Sequence, residues 1–194
     1  MERTKIHIQL LLILLLLAHY DKLYPQSASN VQYEFTELDL TFTFKGSFIT
    51  NADVTCLLDV CFTFEHNLNL SYSADNIELV DQGESWNRIR YTYCEYYFFE
   101  NISVWERKLD VDNQRVDFSL LTSVNSSTLM PKMLSSTGYY RITNQSNATI
   151  MEYFQEFTLS ESILTNIYKE QLKIEAIRFI NFFSEYAKSS CEKK

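Results

Sequence analysis

The chain has 194 residues, 46% of them hydrophobic and 22% charged, with a net charge of −8. That length and apolar content suit one domain with a sizeable core. Three glycines and two prolines argue against Gly-rich phosphate loops and against domains joined by linkers. The acidic balance and the lack of any Lys/Arg run make nucleic acid a poor partner and disfavour anionic membrane surfaces.

Residues 1–29 read as an address. Arg3 and Lys5 precede an unbroken apolar run from Leu10 to Ala18, and polar and small residues follow to Gln26-Ser27-Ala28-Ser29. This is the pattern of a secretory signal. The apolar run is well short of the ~20 residues that span a bilayer, so no stable membrane anchor is expected after cleavage. Cleavage after Ala18, Ala28 or Ser29 fits equally well. The expected location is therefore exported, periplasmic or extracellular, with residues 30–194 forming a single domain. Removing residues 1–29 leaves 14 of the 17 basic and 23 of the 25 acidic residues.

Tyr33 to Ile49 alternates, with Leu38, Leu40, Phe42 and Phe44 on one face, and reads as one strand. Thr50-Asn51-Ala52-Asp53 is a helix start with a capping side chain. Val54, Leu57, Leu58 and Cys61 follow at helical spacing, and a second short helix runs on toward Ser73. Six strands come next: Ile77–Val80, Trp86–Phe99, Ile102–Leu109, Arg115–Ser123, Gly138–Thr143 and Thr149–Leu159. Asp81-Gln82-Gly83-Glu84 marks a hairpin turn between the first two. Leu129–Leu134 has no clear assignment. Ser160 then caps a helix to Lys188, roughly 40 Å long at 1.5 Å per residue. Counting 100° per residue, Ile163, Leu164, Ile167 and Ile174 lie to one side of it and Phe179, Phe182, Phe183 and Tyr186 to another. The order predicts an α+β fold. A curved antiparallel sheet of six or seven strands grips the long C-terminal helix, and two short helices follow the first strand.

That order resembles the START-like, helix-grip superfamily (SRPBCC), over essentially all of residues 36–188. The phrases that carry the resemblance are the Thr50–Asp53 helix start, Gly83-Glu84-Ser85-Trp86-Asn87-Arg88-Ile89-Arg90-Tyr91, Val104-Trp105-Glu106-Arg107-Lys108-Leu109-Asp110, Val116-Asp117-Phe118, Gly138-Tyr139-Tyr140 and Met151-Glu152-Tyr153-Phe154-Gln155. The resemblance implies a hydrophobic cavity between sheet and helix, used across the superfamily for lipids, sterols, polyketides and plant metabolites. Some members are cyclases or dehydratases, and many are carriers or receptors. A secretion signal and four cysteines depart from the usual member.

Only His66 remains outside the address segment, and there is no Cys-x-x-Cys, so neither a metal site nor a Ser-His-acid triad is expected. No cofactor motif is present. Carboxylates and tyrosines are the remaining acid/base material; Glu106, Arg107 and Tyr93 are the catalytic candidates, with one of Glu106 and Arg107 pointing inward. The expected ligand lining is Ile89, Tyr91, Tyr93, Phe118, Leu120, Leu164 and Ile167. Cys56, Cys61, Cys94 and Cys191 are the disulfide candidates, and a bond from Cys191 to Cys56 or Cys61 would fasten the chain end to the first helix. Five Asn-x-Ser/Thr sequons, at Asn69, Asn101, Asn125, Asn144 and Asn147, read as surface polar loops. The leading expectation is an exported carrier that binds a hydrophobic small molecule or lipid without chemistry. The alternatives are a cyclase- or dehydratase-like enzyme, and an interaction module that uses the aromatics of residues 96–99.

Overall fold

The structure, a computed structural model, describes residues 31–71, 73–95, 99–145 and 148–191. The expected signal segment and the Tyr96–Phe98 rings lie outside them. Eight strands form one antiparallel sheet: β1 (Val31–Leu38), β2 (Thr41–Thr50), β3 (Asn76–Gln82), β4 (Trp86–Glu95), β5 (Phe99–Asp110), β6 (Arg115–Asn125), β7 (Met133–Gln145) and β8 (Ala148–Leu159). Their order across the sheet is β1-β2-β8-β7-β6-β5-β4-β3. Two short helices, α1 (Val54–Phe62) and α2 (Phe64–Leu70), carry the chain from β2 to the far edge at β3. The meander from β3 to β8 then returns to pair with β2. The long helix α3 (Thr165–Cys191) closes the fold.

The count is eight rather than six or seven because the expected first strand folds back on itself. Asp39 adopts φ 54°, a left-handed conformation that Asp tolerates better than most residues. The resulting turn pairs β1 with β2 from Leu38↔Thr41 to Val31↔Phe48. Leu38 is consequently 76% exposed on the edge strand, while Phe42, Phe44 and Phe48 are buried.

Asp53 caps α1, its carboxylate accepting from the backbone N–H of Thr55 (2.8 Å) and Cys56 (3.4 Å). Ser160 does not cap α3. Its hydroxyl accepts from Lys132 N at 2.8 Å, and its own N–H donates to Lys132 O. It thus ties down the β6–β7 connection, and α3 begins five residues later. That connection holds the unassigned Leu129–Leu134 stretch, where Met130 is buried against Phe42, Phe157, Leu159 and Tyr168.

The second half of α3 is the anchor. Phe183 is fully buried, with ring centroids 5.4 Å from Phe48, 5.6 Å from Tyr140 and 5.6 Å from Phe179. Phe179 in turn lies 5.2 Å from Tyr153. Gly46 on β2 permits this approach: a Cβ there would come within 2.8 Å of Ile180 Cγ1. Tyr186 packs on α2, its hydroxyl 2.8 Å from His66 Nδ1, while His66 Nε2 lies 3.2 Å from Asp59 Oδ2. A disulfide joins Cys56 in α1 to Cys191 at the end of α3, with Cα atoms 5.8 Å apart. Cys61 is a buried thiol and Cys94 an exposed one.

Candidate functional site

The face of the sheet toward α3 is set by alternation and pairing. On β4 it carries Asn87, Ile89, Tyr91 and Tyr93, opposite Arg107, Trp105, Ser103 and Asn101 of β5. On β6 it carries Phe118 and Leu120, opposite Arg107 and Trp105. A bulge between Val104 and Trp105 leaves Leu121 unpaired, so that Ser123 and Asn125 join the same face opposite Ser103 and Asn101. Toward β2, β7 and β8 this face is filled by rings. Phe118, Tyr140 and Tyr153 lie 5.2–5.7 Å apart, and Phe44 reaches Tyr153 at 5.9 Å. Toward β4–β6 it is less tightly covered. Ile89 is fully buried, but Tyr93, Trp105 and Leu120 are only half-buried. The close packing of α3 is to β1, β2, α1 and α2.

Polar groups lie at both ends of this half-covered strip. At one end Arg107 is 3% exposed, and neither of its terminal amino groups has a hydrogen-bond partner. Its cross-strand neighbour Asn87 donates from Nδ2 to Phe62 O at 2.9 Å, while Asn87 Oδ1 is unpartnered. The Tyr91 hydroxyl bonds Asn67 Oδ1, with Asn67 held on α2. Burial raises the Tyr91 hydroxyl above its ordinary range, and the Arg107 charge, together with the close approach of the Ser71 and Arg107 side chains to the hydroxyl, partly offsets this. Burial likewise pushes up the Cys61 thiol and the Tyr140 hydroxyl, again against the pull of Arg107. Cys61, Tyr91 and Tyr140 therefore surround a cation while staying neutral themselves. At the other end Asn101 Nδ2 reaches Tyr168 OH at 3.4 Å, and Asn101 Oδ1, Ser123 Oγ and Asn125 Oδ1 are buried without partners.

Of the catalytic candidates, Arg107 and Tyr93 lie on the helix-facing side. Glu106 alternates to the opposite face, where Arg88 and Lys108 each approach its carboxylate at 2.9 Å. Hydrogen bonds from Lys108 and Arg88 hold that carboxyl below its ordinary range. On the same outer face a depression of about 370 Å³ is lined by residues that include Glu106, Lys108, Arg115, Asp117 and Tyr139. Its charges are mutually paired, Glu106 with Lys108 and Arg115 with Asp117.

Of the expected lining, Ile89, Tyr91, Tyr93, Phe118 and Leu120 share the helix-facing side of β4 and β6. Leu164 lies in the separate cluster around Phe42 and Leu159, just ahead of the first turn of α3. Ile167 is half-buried on α3, whereas Ile163 is 85% exposed. Sequence reasoning did not single out Asn67, Asn87 or Trp105 as lining; their identities were readable, but the strand register aligns Asn87 with Arg107 and Trp105 with Ile89, and the packing of α2 brings Asn67 to Tyr91. The four sequon asparagines among the described residues, read as surface loops, all lie in elements, Asn69 in α2 and Asn144 in β7. Asn101 lies in β5 and Asn125 ends β6, and the amide nitrogens of both are engaged, that of Asn125 by Pro131 O at 2.8 Å. Among the described residues no group of three or more His, Cys, Asp or Glu is placed to hold a metal ion, and no helix is long and apolar enough to cross a membrane.

No family model and no curated protein matches this chain by sequence. Solved structures do match its fold. A STAR-related lipid transfer protein from Xanthomonas axonopodis superposes with a TM-score of 0.63 at 9% identity, over 84% of this chain and 96% of the other. The Zhui aromatase/cyclase from Streptomyces gives 0.58 at 11% identity, over 76% and 94%. A START superfamily protein from Mycobacterium smegmatis gives 0.52 at 8% identity, over 74% and 97%. With eight antiparallel strands, a long C-terminal helix and two short helices after β2, the chain has the helix-grip, START-like fold of these structures.

Proposed function

We propose that the protein is an exported binding protein for a hydrophobic small molecule, a lipid or related metabolite, held between α3 and strands β4–β6. The observation that carries this reading is the half-covered strip Tyr93–Trp105–Leu120. It lies on the face that β2 and β8 bury with Phe44, Met151 and Tyr153, and buried polar atoms flank it at both ends. Mostly apolar walls with a few placed polar groups are the usual composition of a small-molecule site. Burial of ligand surface at ~25 cal/mol per Å² supplies the affinity, and the polar ends set orientation. Two structural neighbours, a lipid transfer protein and an aromatase/cyclase, agree with an apolar ligand.

The test is a titration with the uncharged fluorescent probe N-phenyl-1-naphthylamine. Saturable 1:1 binding is expected. Leu120→Arg, on the strip, should abolish it, and Leu134→Arg, at an exposed position, should leave it unchanged. Equal binding by both variants would remove the site from the strip. Export is tested separately by sequencing the N-terminus of protein from its source, which should begin just after Ala18, Ala28 or Ser29; an intact Met1 would contradict it.

A cyclase- or dehydratase-like reading draws on the same end of the strip, where Tyr91 and Arg107 would polarise a carbonyl. With Glu106 on the opposite face, a base for it would have to come from Tyr93 or from the ligand. Binding without turnover is the simpler account.

A further inference from the structure

Arg107 poses a physical problem that the chain's own residues solve only in part: the Tyr91 hydroxyl lies close to its guanidinium, but that group is neutral. A guanidinium is charged at any accessible pH and presents five donors. A lone buried cation is costly, and folded proteins normally pair it. Arg107 is 3% exposed, and both of its terminal amino groups lack partners. Among the described residues no carboxylate lies within ion-pair distance of it. The adjacent Glu106 points to the other face and is shared between Arg88 and Lys108. The polar groups around the guanidinium (Tyr91, Tyr140 and Cys61) are ones whose burial keeps them neutral. Asn87 Oδ1, on the paired residue, is also left open, and the two side chains do not bond each other.

We infer that the ligand supplies the missing charge: the interior receives an amphipath whose terminal oxyanion, a carboxylate or a phosphate, is held two-fold by the Arg107 guanidinium, with its apolar chain along Trp105 and Leu120 toward Tyr93. This rests on the proposed reading of the interior as a hydrophobic site and adds the chemical class of the head group. The two parallel N–H donors of an arginine match a carboxylate or phosphate edge, which a point charge does not. Asn87 Oδ1 would accept from a hydroxyl beside the oxyanion, such as that of a 2-hydroxy acid or a monoprotonated phosphate. The polar far end at Asn101, Ser123 and Asn125 lies six residues along β5 from Arg107, about 20 Å at the usual strand rise. That distance suits an elongated ligand.

The experiment is calorimetric titration of the full chain with dodecanoate, dodecyl phosphate and dodecanol, each below its aggregation limit. At least one anion should bind ten-fold or more tighter than dodecanol, and which of the two binds tighter identifies the source of the oxyanion. Arg107→Met should bring anion affinity down to near that of the alcohol, with a much smaller change in alcohol binding. Arg107→Lys, which keeps the charge but loses the fork, should retain part of the preference. Circular dichroism of each variant confirms folding, and retained binding of the alcohol guards against a collapsed site. Equal binding of all three probes to the unmodified chain, or undiminished anion binding by Arg107→Met, would overturn the inference while leaving the hydrophobic site standing. No binding of any probe would overturn both.

Discussion

Replacing Arg107 by methionine should make the ligand-free protein more stable, which is unusual for a change at a buried position. The side chain is 3% exposed and two of its nitrogens have no partner, so the folded state carries a desolvated charge that neutral groups such as the Tyr91 hydroxyl offset only in part. Methionine fills much of the same volume with a flexible apolar chain. Replacing buried charged groups by apolar residues of similar volume is stabilising by ~1–4 kcal/mol in favourable cases, and we expect a gain in that range. For a domain of this size each kcal/mol moves Tm by about 2–4 °C. Urea unfolding followed by far-ultraviolet circular dichroism reads the change as a higher midpoint at unchanged slope. Ligand reverses the ranking: an anionic amphipath at 100 times its Kd stabilises the native protein by ~2.7 kcal/mol, and the variant gains only what an uncharged chain would give. A loss of more than ~1 kcal/mol in the ligand-free variant would refute the reasoning, because it would mean that the guanidinium is already paired within the fold.

Three further outcomes follow from the packing. Phe183→Ala should cost ~3–5 kcal/mol, the range for truncating a buried aromatic, since Phe183 touches Phe48, Tyr140 and Phe179 at once; a loss under ~1.5 kcal/mol in urea unfolding would show that the second half of α3 is not docked. Breaking the Cys56–Cys191 bond as Cys56→Ser/Cys191→Ser should cost on the order of 5 kcal/mol, because it opens a loop spanning a separation of 135 residues; unchanged thermal unfolding would argue against the bond in solution. With the disulfide intact, a thiol reagent at pH 8 should label Cys94 in the native protein and Cys61 only after unfolding. Cys61 is buried, and its raised pKa keeps the thiol protonated through that pH, so little reactive thiolate forms. Two fast-reacting thiols would contradict its placement.

The layout of the fold was largely legible, because its signals are local and strong: alternation in β4–β8, the Thr50–Asp53 helix start, the Gly83 turn, and a long C-terminal stretch without Gly or Pro. Several details were not legible, for physical reasons. The β1–β2 turn uses Asp39 in a left-handed conformation, so no Gly or Pro announced it and one long alternating run concealed two strands. Ser160 carries a helix-cap signature but spends its hydroxyl on Lys132, a contact 28 residues away that local pattern cannot show. Alternation required that Glu106 and Arg107 point to opposite faces. Which one faces α3 is decided by the neighbours: Arg88 and Lys108 draw Glu106 outward. The bulge at Trp105 shifts the register of β6, and only this brings Ser123 and Asn125 onto the inner face. The sequons at Asn101 and Asn125 look like loop chemistry, yet both side chains bond inside the fold.

The central claim is that a hydrophobic molecule is held between α3 and strands β4–β6. Native mass spectrometry of the protein purified from its source without detergent tests it most directly. The account predicts a population heavier than the polypeptide by one small amphipath, lost from Leu120→Arg and released on denaturation. Preparations that show only the bare chain mass, and that take up no dodecanoate, dodecyl phosphate or dodecanol when it is added, would contradict it.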